Sequence, residues 1–103
     1  MKYLVFRDSS TEAYTFAYSS LKQIRYGIDS NGTTVSDQVD MYFDHIDEKV
    51  KISLAVKSGK RQTVMENLMK AFSKSNSDVI VVADDVSNKY VINDIQSMSY
   101  TTT

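Results

Sequence analysis

The sequence contains no cysteine, no proline and no tryptophan. Without cysteine there is no disulfide scaffold, no thiolate metal site and no thiol nucleophile. The same absence accords with a reducing compartment. Without proline the chain lacks one device that soluble sheets place at exposed strands to block edge pairing. An excess of either charge is also lacking, since 12 Lys and Arg oppose 13 Asp and Glu for a net charge of −1. That balance supplies no global field for non-specific binding to nucleic acid or an anionic membrane, so neither is an expected partner. Long apolar runs are missing too. Met1 to Asp8 hold one four-residue apolar run flanked by charge. This is too short for a signal peptide and far short of the roughly 20 residues of a membrane helix. The expectation is a soluble chain that is not exported.

What is present suffices for one domain spanning residues 1–103. Apolar residues make up 42% of the chain. A chain of this size buries roughly two-thirds of the surface that its unfolded form exposes, enough to fold without metal or disulfide. Tyrosine is abundant at seven copies. They fall in segments with strand character, the setting that aromatic residues favour.

Period-two patterning dominates the first half. Tyr3–Arg7 reads as a strand, apolar on both faces and so expected to be covered on both. Ala13–Tyr18 alternates, with Tyr14, Phe16 and Tyr18 on one face. After Ser19-Ser20 the alternation resumes over Leu21–Ile28, with Ile24, Tyr26 and Ile28 opposite Gln23, Arg25 and Gly27. Asp29-Ser30-Asn31-Gly32 is the strongest turn signal, and its Asn-Gly suits a two-residue hairpin. Val35–Phe43 points Val35, Val39, Met41 and Phe43 inward. Asp44–Glu48 is a charged turn. Lys49–Lys57 then alternates cleanly, with Val50, Ile52, Leu54 and Val56 on the core side.

The period changes to 3.6 at Arg61–Lys74, where Val64, Leu68 and Phe72 form a stripe joined by Met65, Met69 and Ala71. Thr63-Val64-Met65-Glu66 has capping-box spacing, and Ser58-Gly59 offers an earlier start. Ser75 to Asp78 ends the helix. The continuous apolar run Val79–Ala83 implies a strand buried on both faces. Asp84–Lys89 turns the chain, and Tyr90–Tyr100 forms a final strand pair or bent strand. Phe16…Leu21-x-x-Ile24-x-Tyr26 and Val91…Ile95-x-x-Met98-x-Tyr100 echo one another as two bent strand pairs in similar structural roles. The fold class that follows is α+β. It is a mainly antiparallel, curved sheet or small barrel with one amphipathic helix, in the order β-β-β-β-β-α-β-β.

Few residues carry chemistry. His45, the single histidine, lies among Asp40, Asp44, Asp47 and Glu48, a set that suits divalent ions by type. A solvated charged turn explains the same residues, and structural zinc takes four Cys or His ligands. Asp29-x-Asn31-x-Thr33, with Asp40 at the twelfth position, resembles the start of a calcium loop. Thr34 stands where the required glycine belongs. Asn31-Gly32-Thr33 is a glycosylation sequon without consequence in a chain that is not exported. No nucleophile elbow occurs. Adjacent Asp84-Asp85 belong in a loop rather than an acid–base pair, and Lys22, Arg25 and Tyr26 fall short of a single-strand nucleic-acid platform. No catalytic residue, metal or cofactor is expected.

Two candidates remain. Lys57, Ser58, Gly59, Lys60 and Arg61 form the densest basic cluster and enter the helix, where backbone N–H groups suit an anion. Cations at a helix start oppose its dipole, which favours a ligand that offsets them. A solvated polar loop is the simpler account. At the other end Tyr100, Thr101 and Thr102 belong to an uncharged, strand-forming tail that is able to extend a neighbour's sheet, with Tyr100 as anchor. Pairing within its own sheet is the alternative for the tail.

The order of elements resembles that of short proteins encoded by environmental (marine-type) tailed phages: an opening strand, an Ile-x-x-Ile-like bend, a hairpin, one helix and a closing strand pair. The resemblance covers most of the chain in layout and carries over no functional residue. It implies a virion-associated or accessory role, with the host cytoplasm or the virion as location and virion proteins as partners. The functional expectation is a non-enzymatic, self-associating assembly or interaction module, a homo-oligomer. The alternative is an anion- or nucleic-acid-binding protein using the Lys57–Arg61 loop.

Overall fold

The computed structural model of the chain describes residues 2–29, 31–45 and 48–102. In chain order the strands are β1 (Tyr3–Arg7), β2 (Ala13–Ala17), β3 (Leu21–Ile28), β4 (Thr34–His45) and β5 (Glu48–Val56). The helix α1 (Arg61–Lys74) follows, then β6 (Val79–Asp84), β7 (Lys89–Tyr90) and β8 (Ile95–Thr102). The class is α+β, with one helix and eight strands among the described residues. The strands divide into two four-stranded sheets, not one curved sheet or a barrel. Sheet I runs β2-β1-β6-β7 and sheet II runs β3-β4-β5-β8. Sheet II is antiparallel throughout. Sheet I contains one parallel pair, β1 with β6, which the long excursion through sheet II and α1 makes possible.

The two echoing sequence motifs prove to be the two corners of the molecule. Phe16 ends in β2, a 3₁₀ turn at Tyr18–Ser20 follows, and Leu21 opens β3. Val91 follows β7, a turn closes with Ile95 N–H donating to the Ile92 carbonyl at 3.0 Å, and Ile95 opens β8. Each motif therefore carries the chain from an edge strand of sheet I to an edge strand of sheet II. The segment expected as a strand pair or bent strand at Tyr90–Tyr100 is the pair, split by this turn.

The core fills the space between the sheets. Leu4, Phe6, Phe16, Ile80 and Val82 face Met41, Phe43, Ile52 and Leu54 of sheet II, all of them buried. Phe43 stacks on Phe16 with ring centroids 4.5 Å apart and meets Phe6 edge-on at 5.8 Å. Such pairs contribute about 0.5–1.5 kcal/mol beyond their buried area. The helix occupies the rest of the inner face, packing on β3 and β4 with Val64, Leu68 and Phe72 fully buried. Its main contact is thus one strand away from Ile52 and Leu54 of β5. The Lys2 ammonium donates to the Phe72 carbonyl, placing a cation at the helix C-terminus, where the dipole favours it.

Four local readings need correction. The helix starts at Arg61 as expected, but its N-cap is Lys60 with no side-chain cap, so neither Thr63 nor Ser58 serves. A turn at residues 57–60, with Gly59 at φ +76°, sets that start instead. The β3–β4 hairpin is longer than a two-residue turn. Asp29 N–H donates to the Thr33 carbonyl and Gly32 N–H to the Asp29 carbonyl, with Gly32 at positive φ (+81°). Met69 is 47% exposed and so stands outside the core stripe. Finally, β1 and β6 are covered on one face only, since Tyr3, Val79 and Val81 are exposed on the other. Among the described residues no helix is long and apolar enough to cross a membrane.

Leu68 is surrounded on all sides, so Leu68→Ala should lower stability by ~2–5 kcal/mol in denaturant melts. A loss of only a few tenths would contradict the helix face described above.

Candidate functional site

The basic loop is held from within the molecule. Lys60 N–H donates to the Lys57 carbonyl at 3.0 Å, closing the turn that contains Ser58 and Gly59. Gly59 N–H is directed at the Asp37 carboxylate, 3.4 Å away. Lys57 is fastened twice to Asp94, through its N–H to the Asp94 carbonyl at 2.9 Å and through an ion pair at 3.9 Å. The Arg61 guanidinium lies 4.0 Å above the Tyr26 ring, a cation–π contact. The structure places three of the five expected residues, Ser58, Gly59 and Arg61, in one polar recess beside Asp37, whose lining does not include Lys57 and Lys60. Asp94 thus pairs with Lys57 and the Tyr26 ring faces Arg61, while Asp37 meets the Gly59 N–H.

The acidic residues around His45 are dispersed. Asp40 is buried on the outer side of sheet II, where its carboxylate accepts from Ile28 N–H at 3.1 Å and from the Gln38 amide at 2.8 Å. Lys51 stands 3.9 Å away. Asp44 is exposed at a register position opposite Lys49. Asp47 and the side chains of His45 and Glu48 lie outside the described residues. Among the described residues no cluster suited to a metal ion occurs. The resemblance to a calcium loop resolves likewise, because Asp29 Oδ1 accepts from the N–H groups of Asn31 and Thr33, each at 2.9 Å.

Asp40 was legible only in part. It repairs the ladder where β3 shifts register between Tyr26 and Ile28, supplying the acceptor for Ile28 N–H. Gly27 makes this possible, since a Cβ there would stand 2.5 Å from Gln38 Cβ, and Gln38 must cross it to reach Asp40. A glycine inside a strand pattern is the sequence signal for such a close approach.

Asp84 and Asp85 act separately. Asp84 ends β6, pairs with Arg7 at 3.8 Å and accepts from the N–H groups of Val86 and Ser87. Its hydrogen bonds to Ser87 hold its carboxyl below the usual range. Asp85 accepts from the Tyr90 hydroxyl at 2.8 Å and from Met98 N–H at 3.3 Å, tying the β6–β7 turn to the edge strand β8. Burial first, and then the Asp85 carboxylate, push the Tyr90 phenol up to about 12.

The tail adds to its own sheet. β8 pairs with β5 as far as Thr102 opposite Val50, with Thr101 opposite Lys51 and Tyr100 opposite Ile52. Tyr100 stacks on Tyr14 with centroids 4.0 Å apart and rings 5° from parallel, so its ring is engaged within the chain. Met98 N–H, facing away from β5, is capped by Asp85.

Two surfaces that patterning did not single out stand open. One is the outer face of sheet I, where register aligns Ala17, Tyr3 and Val79 in one row and Thr15, Val5 and Val81 in the next. Arg7 and Asp84, already paired, close the block. The other is a trough between α1 and the free edge of β3. No protein-family model, curated protein or solved structure matches this chain.

Two outcomes test these assignments. Asp40→Ala removes the acceptor of Ile28 N–H and the partner of half-buried Lys51, and should cost about 3 kcal/mol in a denaturant melt. Asp40→Asn should cost less. The raised Tyr90 value means that the fold favours the neutral phenol. Its stabilising contribution is complete below the ordinary tyrosine value of 10.0 and is lost as pH rises toward about 12. Melting temperature should therefore fall more steeply over that window in the wild-type chain than in Tyr90→Phe.

Proposed function

We propose that this chain is a non-enzymatic assembly module that self-associates through the outer face of sheet I. The observation that carries the reading is that β1 and β6 have the residues of strands covered on both faces, yet the chain covers only one. Tyr3, Val79 and Val81 are 40%, 55% and 46% exposed and sit side by side on that face. Contiguous exposed apolar patches mark interaction sites, whereas isolated exposed residues do not.

A second copy is the fitting partner. The patch itself is uncharged, and the charges of its border row, Arg7 paired with Asp84 and Lys89 opposite Asp84 in register, lie at one end of it, so two copies can stack through the apolar rows. Face-to-face packing at about 10 Å would make each sheet I the cover of the other. The tail contributes in this reading as the edge of sheet II, its backbone beyond Met98 offering strand pairing between dimers. The layout resembling that of small phage proteins supports a virion-associated or accessory setting, where repeated self-contact builds a shell or ring.

Sedimentation at rising micromolar concentration should show a dimer or closed ring. Val81→Lys places a cation at the centre of the face, at a position exposed enough to leave the fold intact, and should weaken association by at least about tenfold. Removal of residues 99–103 should leave the dimer in place. A wild-type monomer at every accessible concentration would overturn the proposal.

A further inference from the structure

The trough beside β3 is a second, independent surface. β3 is an edge strand of sheet II, paired with β4 on one side only. Its register shifts at both ends, but the stretch from Gln23 to Tyr26 pairs regularly with Tyr42, Met41, Asp40 and Val39. Alternate residues of such a stretch direct N–H and C=O away from the sheet. Helix α1 packs over β3 and β4 without reaching this free edge, leaving a cavity of about 380 Å³ whose apolar wall is Leu21, Ile24, Met65 and Met69. A second hollow shares Gln23, Ile24 and Met65 and continues the trough to Tyr26. Together they run along β3 from Leu21 to Tyr26. Leu21, Ile24, Tyr26 and Met65 are half-buried and Met69 is exposed, so the wall is an apolar surface that the chain leaves unfinished. Methionine side chains re-pack around varied ligands.

The charges select the occupant. Lys22 and Arg25 are the charged residues lining the two hollows, and both are cationic. In register, a strand added to this edge would alternate. Residues opposite Ile24 and Tyr26 would point toward α1 and the apolar wall, and residues opposite Arg25 would point to the other face. We propose that the trough accepts an extended peptide in which apolar and acidic residues alternate, added as a fifth strand to sheet II. Backbone bonds to β3 would give affinity, the apolar residues would fill the trough and the carboxylates would meet Lys22 and Arg25. The chain's own free edges do not fit this description. The edge strands β2 (Ala13–Ala17), β3 (Leu21–Ile28), β7 (Lys89–Tyr90) and β8 (Ile95–Thr102) contain no acidic residue. The occupant is a different polypeptide.

The test uses a fluorescein-labelled peptide alternating valine and glutamate, titrated with the full chain and followed by anisotropy, with amide shifts mapped in parallel. Saturable binding, weakened by salt, with shifts confined to β3 and α1 is the expected result. The double variant Lys22→Glu/Arg25→Glu alters only exposed side chains and should weaken binding roughly tenfold, the scale expected for reversing two rim charges. Its melting curve checks that the fold is retained. Met69→Glu, also at an exposed position, should weaken binding through the apolar wall. Absence of binding, equal binding of the valine–lysine peptide, or undiminished binding by the double variant overturns the proposal. So does a concentration-dependent shift of β3 amides without peptide, which would give the edge to a second copy. Shifts on the outer face of sheet I would instead belong to the assembly surface, so the two readings fail separately.

Discussion

Phe43 is the point on which the two sheets close. It lies near the C-terminal end of the long strand β4 and receives Phe16 face to face and Phe6 edge-on, from two different strands of sheet I. A ring at that position holds three strands from two sheets in one contact. The corners at Tyr18–Ser20 and Ile92–Ile95 then need only carry the chain across at either side. Around this contact the inner face of sheet II is divided between unlike covers, sheet I at one part and the helix at the other. Tyr18 against Phe72, at 5.5 Å, is where the two covers meet.

That division explains where the molecule is left open. A four-stranded sheet is wider than one helix, so α1 over β3 and β4 cannot also seal the β3 edge, and the methionine-lined trough results. Sheet I, pressed against sheet II by its inner residues, has no helix left for its outer side. One helix and two sheets supply too few layers to cover every apolar face. Both surfaces proposed for interaction come from that single shortage.

The inward or loop-facing carboxylates mostly serve the fold. Asp40 replaces a missing ladder acceptor, Asp85 joins two sheets, and Asp37 and Asp94 meet the loop at the helix start. Buried or half-buried polar groups require partners, so each inward carboxylate is matched to a nearby N–H, hydroxyl or cation. The loop at Lys57–Arg61 shows how such partners come from afar. Sequence proximity displays the cations together, whereas the carboxylates that meet this loop lie 22 and 37 residues away along the chain, Asp37 at the Gly59 N–H and Asp94 at Lys57.

The sequence by itself determined the kind of most elements, the bounds of the helix and the inward faces of β5 and α1. The helix bounds, the inward set Val50, Ile52, Leu54 and Val56, and the stripe Val64, Leu68 and Phe72 were all legible, because period two and period 3.6 are local properties of a backbone. The similar roles of the two echoing motifs were legible for the same reason. Only the tertiary structure decided what lies against each face. The parallel pairing of β1 with β6, the exposure of Val79 and Val81, the displacement of Met69 from the core and the partners of Asp40 all depend on contacts between residues far apart in sequence. Periodicity states that a face is apolar; which layer comes to cover it is settled by how many layers the chain has to share.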